Sequence, residues 1–447
     1  MSGTAKIGII GAGSAEFSAG IVRDLCINKD LAGSQVCFMD VDEKRLEKIH
    51  ALALKITDEL GVKLKFEKTL KAEDAIKGAD FILNTVQIGG HSWVEAERAL
   101  GEKHGYYRGA PVYSLNQMIF FVETAKQIEA LSPNAYLIQS ANPVFEGCTL
   151  MTRETKTKVI GLCHGHYGYS DICRVIGIPW EEVSANMIGF NHWIWLTEFR
   201  WKGKDAYPLI DEWIKTKAEA YWKRPDPYFM DNQMSRAAVE LYQLYGLFPI
   251  GDTPRMVAWW HNDSLESKKK YYGAVGGFDS EIGWGQYLEL TAERIALVGK
   301  AADDPGVKAT DIFKPVQSGE QITPIINSIV NDKPAQYQVN IPNRGGVIHG
   351  FPEDLVVECR AIIGGGGISA LMEPPLPESI MSGVMIPRWS DAETVLYAAK
   401  ECSYNAILRL LLQDRRTKSI DQAKAFLDEW LADPRNTYVN KRLKGKK

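Results

Sequence analysis

The sequence predicts an α/β protein: a doubly wound parallel sheet in the first part of the chain, then a mixed α+β domain. Three observations carry the prediction. Short β-branched runs recur through the first third of the chain, each followed by a helical pattern. The first of them, Lys6 to Ile10, runs into Gly11-Ala-Gly-Ser14 and then a helical spacing at Phe17, Ile21, Val22 and Leu25. After Gly165 the texture changes to helical and aromatic-rich segments with a few strand-like runs.

Strand, glycine turn and helix at the start of a chain make a dinucleotide-binding opening. Gly11 allows the tight turn, and Gly13 lets the backbone approach a pyrophosphate that the helix N-terminus attracts. The third glycine of the usual pattern is absent, because position 16 is Glu16. The second strand, Gln35 to Met39, ends in Asp40, a carboxylate placed to bond the adenosine ribose hydroxyls and to repel a 2′-phosphate. NAD rather than NADP is therefore expected, with Gly11, Gly13, Ser14, Asp40 and Asn84 as its contacts. The alternative for Asp40 is a solvated acidic turn, since Asp42 and Glu43 follow.

Glu43 to Leu60 reads as a long amphipathic helix, Leu64 to Lys68 as a strand and Asp80 to Val86 as a buried strand with Asn84 near its carboxyl end. Trp93 to His104 looks helical and carries Glu95, Glu97 and Glu102. Ser114 to Leu131 is helix, and Ala135 to Ala141 is strand, stopping at Asn142-Pro143. Lys158 to His164 closes the first half, leaving Cys163 and His164 at the carboxyl edge where open α/β sheets bind ligands. Such repeated units imply right-handed crossovers. Beyond Gly165, strands are expected at Ala335 to Ile341, Gly346 to His349 and Leu355 to Ile363. The four-glycine run Gly364 to Gly367 is either a mobile loop or a tight connection, and Thr394 to Leu412 reads as one amphipathic helix. Division at residue 165 gives a cofactor domain, 1–165, and a substrate-, metal-binding and oligomerisation domain, 166–447.

Composition narrows the function class. The 447 residues carry a net charge of −4 and are 45% hydrophobic and 24% charged, as in an ordinary globular protein with no electrostatic call for nucleic acid or an anionic membrane. No apolar run approaches the ~20 residues that span a bilayer. Seven scattered cysteines fit reduced thiols in a reducing compartment. With no secretory pattern at Met1 to Ala5, a cytoplasmic protein is expected. The basic tail Lys441 to Lys447 reads as a frayed end.

A soft thiolate and an imidazole at strand ends suit a divalent metal, and the plain alternative is a buried Cys beside a structural His. Gly11-Ala-Gly-Ser14, Asn142-Pro143, Cys163-His164-Gly165 and Asn191-His192 occur in that order. Together they resemble the family 4 glycoside hydrolases, the NAD- and manganese-dependent glycosidases, from about Lys6 to at least Arg416. The Cys-His-Gly form, the segment Gly101 to Gly109 and the cluster Gly251-Asp-Thr-Pro-Arg255 resemble the members acting on α-linked uronic acids, above all α-glucuronidases. Trp193 departs from that group, which has a small residue after the metal His.

The resemblance implies a Rossmann-type first domain, an overall fold like the lactate and malate dehydrogenases, and a dimer or tetramer. It implies an oxidative elimination: hydride transfer from sugar C3 to NAD+, removal of the C2 proton beside Mn2+, departure of the glycosidic oxygen, addition of water and return of the hydride. Cys163 and His192 match the metal ligands, and Asn142 matches a substrate contact. Asp252 is the candidate C2 base, with Tyr245 as the alternative. Glu97 and Glu95 are candidates for the acid, each with a solvated helix face as the alternative. Arg108, Arg255 and His164 are candidates to pair with a uronate carboxylate, a task that suits the bidentate fork of Arg. Small-molecule uronic acid glycosides are thus the expected partners, α-galacturonides and neutral α-glucosides the runners-up. The rival readings are a 2-hydroxyacid dehydrogenase, which needs a His-Asp pair and no metal, and a non-catalytic NAD-binding sensor.

Overall fold

A computed structural model describes residues 3–15, 17–225 and 233–443. Glu16 and the tail from position 444 lie outside the described residues. Six strands form the parallel part of the sheet: β1 (Lys6–Ile10), β2 (Gln35–Met39), β3 (Lys65–Thr69), β4 (Phe81–Asn84), β5 (Tyr136–Gln139) and β6 (Lys158–Gly161). Their spatial order is 6-5-4-1-2-3, every pair parallel, which is the doubly wound order expected of the repeated strand-helix units. Ile7 and Ile9 of β1 have no exposed surface because helices cover both faces, and this is why these strands read as continuous apolar runs. The helix Glu43–Leu60 is bounded by its own residues. The Asp42 carboxylate accepts from the Arg45 N–H at the start, and Gly61 adopts φ 61° at the end.

The remaining strands are β7 (Val183–Phe190), β8 (Trp193–Trp201), β9 (Lys204–Asp205), β10 (Phe248–Ile250), β11 (Ala335–Pro342), β12 (Val356–Gly364) and β13 (Gly367–Ala370). All of their pairings are antiparallel, and β11 continues the parallel sheet by pairing Asn340 with Gly161 of β6. The order β10-β8-β7-β12-β11-β6 thus makes one sheet of the two halves. The core follows the same route. One apolar cluster joins β1 and β2 to β7, β8, β11 and β12. A second joins the helix Ser114–Leu131 to the carboxyl-terminal helices Ile386–Glu401, Tyr404–Gln413 and Ile420–Ala432, which return to pack on the first half.

Three sequence expectations change. Gly346 to His349 is a loop, because the Asn343 side chain binds the backbone of Ile348 and Phe351 and takes the place of a strand partner. Gly364 to Gly367 is a tight hairpin joining β12 to β13, with Gly364 opposite Gly367. The expected helix Thr394 to Leu412 is broken at Cys402, which adopts φ 46°, and Ser403 caps the next helix through the Ala406 N–H.

Candidate active site

The cofactor end is local. The N–H groups of Gly11 and Ala12 both donate to the Met39 carbonyl at 2.9 Å, which fixes the turn against the end of β2. Gly11 takes φ 88°, where a Cβ would also lie 2.9 Å from Val86. Gly13 donates to Asp40 Oδ2 at 2.7 Å, and a Cβ there would meet that carboxylate at 2.8 Å. Two glycines and the strand-end carboxylate therefore meet at one edge where no side chain intervenes, as a dinucleotide needs. Ser14 turns back onto the Gly11 carbonyl. Asn84 is wholly buried and points elsewhere: it donates to Gln139 at 2.9 Å and accepts from the Val86 N–H, clipping β4 to β5.

The other end is assembled across the chain. β7 and β8 are joined by Asn191-His192, with Phe190 opposite Trp193, and His192 takes φ 64°, a left-handed conformation uncommon for a residue with a side chain. That turn brings His192 Nε2 to 3.3 Å from Asp252 Oδ2. Asp252 stands at the start of the helix Thr253–Val257, whose Thr253 hydroxyl accepts from the Ile194 N–H and so ties the helix to β8. Asn191 donates to Glu358 Oε2 of β12 at 3.1 Å. Cys163, just beyond β6, lies among the same groups; its Sγ accepts from the Gly165 N–H at 3.4 Å. Burial, with Glu358 and Asp252 nearby, pushes the Cys163 thiol up to about 12. Burial likewise pushes Glu358 up to about 7, against hydrogen bonds from Asn191, Asn340 and Gln338.

Both shifts reflect first the cost of burying an anion, to which the neighbouring carboxylates add. A divalent cation would offset that cost, and a thiolate is the ligand form of Cys. His192 matches, since burial lowers its pKa and favours the neutral ring that ligates metals. The donor set at Cys163 and His192 thus fits a soft divalent cation. Among the described residues no three His, Cys, Asp or Glu side chains gather to hold a metal ion by themselves.

Beyond Asp252 runs a chain of charges. Arg255 grips Asp252 with Nε to Oδ1 at 3.0 Å and Nη2 to Oδ2 at 2.7 Å, and its Nη1 donates to Asp279. Burial opposes ionisation of Asp252, but Arg255 and His192 hold it below the usual carboxylate range. The same contest at Asp279 ends far lower, under Arg255, Lys268 and Arg98. Arg98 reaches Asp279 at 3.6 Å and Glu95 at 3.5 Å, and stacks over Trp284 at 4.1 Å. Arg108, held at φ 55°, donates to the Asp279 carbonyl at 2.9 Å and lies 3.7 Å from Glu95 and 3.6 Å from Glu102.

The structure therefore brings Asp252, Arg255, Arg108 and Glu95 into one network with His192. Glu97 is not in it: two positions on from Glu95, on the opposite side of the helix, it is buried under Trp430, whose Nε1 donates to it at 3.2 Å, and burial pushes it up to about 8. Tyr245 packs edge-on against Trp195 and faces Gly383. His164 pairs with Glu320 at 2.8 Å. Asn142 is exposed at a cis bond to Pro143. Immediately after it come Phe145 and Glu146, and the Arg388 guanidinium pairs with Glu146 while lying 5.3 Å from the Trp193 ring. Asp279, Lys268, Glu358 and the Glu146–Arg388 pair escaped the sequence reading. Each is a single charged residue whose signal is its burial, and burial of one charge leaves no periodicity to read.

Comparison with known proteins agrees with this architecture. The model of the family 4 glycosyl hydrolases matches residues 6–177, and that of the family's C-terminal domain matches residues 187–417. An alpha-galacturonidase of Thermoanaerobacterium saccharolyticum is 23% identical over 457 residues, covering 95% of this chain and 94% of its own. An alpha-galactosidase of Bacillus subtilis is 23% identical over 385 residues, covering 84% and 85%. Among solved structures, a 6-phospho-alpha-glucosidase from gut microorganisms in complex with NAD and Mn2+ superimposes with a TM-score of 0.77 at 19% identity, covering 96% of this chain and 98% of that one.

Proposed function

The chain belongs to the family 4 glycosyl hydrolases, and within that family we propose that it hydrolyses the α-glycosidic bonds of uronic acids, α-glucuronides first. The observation that carries the reading is the convergence of Cys163, His192 and Asp252 from three separate elements. When bound, NAD+ would supply reversible hydride acceptance at sugar C3, and Mn2+ at Cys163 and His192 would supply Lewis acidity that makes the C2 proton removable.

The chain's residues would do the rest. The glycine edge at Gly11, Gly13 and Ser14, with Asp40, would hold NAD in preference to NADP. Asp252, kept ionised by Arg255 and His192, would take the C2 proton, with Tyr245 as the alternative base. Arg255 also orients that carboxylate through two hydrogen bonds. For the acid, Glu95 is supported by its place in the network, whereas Glu97 meets Trp430 instead. Asn142 would contact the sugar beside the cation. The division at residue 165 would separate cofactor from substrate recognition. With no disulfide among the seven cysteines and no described helix long and apolar enough to cross a membrane, we place the protein in the cytoplasm, as a homo-oligomer.

A second reading, α-galacturonidase, is favoured by the names of several relatives. A hydrolysis panel of α-glucuronides, α-galacturonides and α-glucosides with NAD+, Mn2+ and reductant decides between them. Run in D2O, the same panel tests the mechanism: deuterium should appear at C2 of the released sugar, and NADH should not accumulate. A released sugar with no deuterium at C2 would reject Asp252 as a C2 base.

A further inference from the structure

The guanidinium and imidazole groups expected to read a uronate carboxylate are already engaged. Arg255 holds Asp252 and Asp279, Arg108 lies against Glu95, Glu102 and the Asp279 carbonyl, and His164 is paired with Glu320. One cation nearby is not. Lys268, on the helix Leu265–Tyr272, is only 3% exposed, yet among the described residues its ammonium makes no hydrogen bond or ion pair, with only the Tyr272 ring at 5.9 Å and the more distant charge of Asp279 to face it. It lines a cavity of about 30 Å³ together with Gln233, Arg255, Tyr272, Phe278 and Asp279, room for a carboxylate group rather than for a whole sugar. Gly251 lies on the same wall, so the cavity opens directly behind the Gly251-Asp252 turn. Asp279, the carboxylate of the cavity wall, forms its ion pairs with Arg255 and Arg98 and acts on Lys268 only through its field.

A lysine this buried whose ammonium makes no hydrogen bond is costly unless a ligand completes it. Its complement is an anion with oxygens free to accept, and the substrate class proposed above carries one. We propose that Lys268 is the specificity-determining residue of this enzyme, binding the C6 carboxylate of the sugar in the cavity beside Asp252. The assignment rests on the uronide reading and deepens it. Burial lowers the Lys268 pKa to about 8, so carboxylate binding should weaken above that pH in the wild type and hold in Lys268→Arg.

The test compares the wild type, Lys268→Met and Lys268→Arg, each supplied with NAD+ and Mn2+. Substrates are the 4-nitrophenyl α-D-uronide that the wild type turns over faster (glucuronide or galacturonide), 4-nitrophenyl α-D-glucoside and 4-carboxyphenyl α-D-glucoside. Calorimetric binding of the free uronic acid is measured alongside. Lys268→Met should lower kcat/KM on the uronide about 10- to 100-fold, as expected for loss of a charge-assisted hydrogen bond, mostly through KM. It should weaken uronic acid binding by a similar factor, and Lys268→Arg should recover most of both. Equal losses on all three substrates with unchanged uronic acid affinity would overturn the assignment and leave the uronide reading standing. A loss confined to the carboxyphenyl glucoside would overturn it in favour of an aglycone carboxylate. A wild type that neither cleaves uronides nor binds the free acid would overturn the uronide reading itself, and this outcome is visible without any variant.

Discussion

At the cofactor edge, Gly11, Gly13 and Asp40 come from one strand-helix-strand unit, and what they contribute is backbone: a φ of 88°, an absent Cβ and a carboxylate 2.7 Å from an amide. Around Asp252, the participants come from the end of β6, the β7–β8 turn, β12, the helix at Thr253 and the loop at Asp279. What they contribute is charge balanced by charge. The first region fails when something is added, because a side chain fills the cradle. The second fails when something is removed, because each buried charge is tolerable only through its partner. Substitutions at the two regions should therefore differ in kind as well as size.

The largest effect is expected at the sulfur and imidazole. Cys163→Ser and His192→Ala should each lower Mn2+-dependent hydrolysis by about a thousandfold or more, the scale of losing the group that stabilises developing charge. Tryptophan fluorescence and NAD+ titration should remain near wild type. Full activity of either variant in a chelator would separate the metal from this cluster. Asp252→Asn comes next, with kcat reduced about 10²- to 10⁴-fold, as for loss of a general base. Its C2 exchange in D2O should slow more than its substrate affinity weakens, and the reverse order would make Asp252 a binding group.

Glu97 marks where the charge network ends. Its carboxyl is raised from 4.5 to about 8 in the folded chain by burial. The folded state thus holds a proton that the unfolded state releases. By linkage, this contribution to stability is full below about pH 4.5 and is lost progressively as pH rises to about 8. The amount is on the order of a few kcal/mol. Urea midpoints taken from pH 5 to 8 should fall for the wild type and be flatter for Glu97→Gln, whose activity should survive. Abolished activity with unchanged pH dependence would return Glu97 to the catalytic acid role. The smallest effect belongs to the cofactor edge. Asp40→Ala should narrow the preference for NAD+ over NADP+ by about tenfold, the scale of one repulsive contact with a 2′-phosphate. A wild type that prefers NADP+ would place Asp40 away from the ribose.

The parallel strands were legible because burial on both faces leaves continuous apolar runs, and Asp42 and Gly61 state the limits of the helix they bound. The helix break at Cys402 was not, since a left-handed residue other than glycine has no compositional mark. The loop at Gly346 was misread for a related reason: Asn343 replaces a strand partner with side-chain hydrogen bonds. Within the site, Asn191-His192 and Cys163 stood out as polar residues at the ends of apolar runs, while Lys268 and Glu358 look like any other Lys and Glu.

By itself, then, the sequence determined everything set by neighbours along the chain: the glycine edge, Asp40 at a strand end, the family's spaced motifs and the change of texture after Gly165. Only the tertiary structure decided which charges meet. Glu95 joins the network while Glu97, two positions on, turns to Trp430, and Arg255 is engaged by Asp252 and Asp279 while Lys268 forms no ion pair among the described residues. The reason is that an ion pair depends on separation in space and on burial. Both are properties of the packed sheet and of the elements brought to its edge, and neither is recorded in the spacing of residues along the chain.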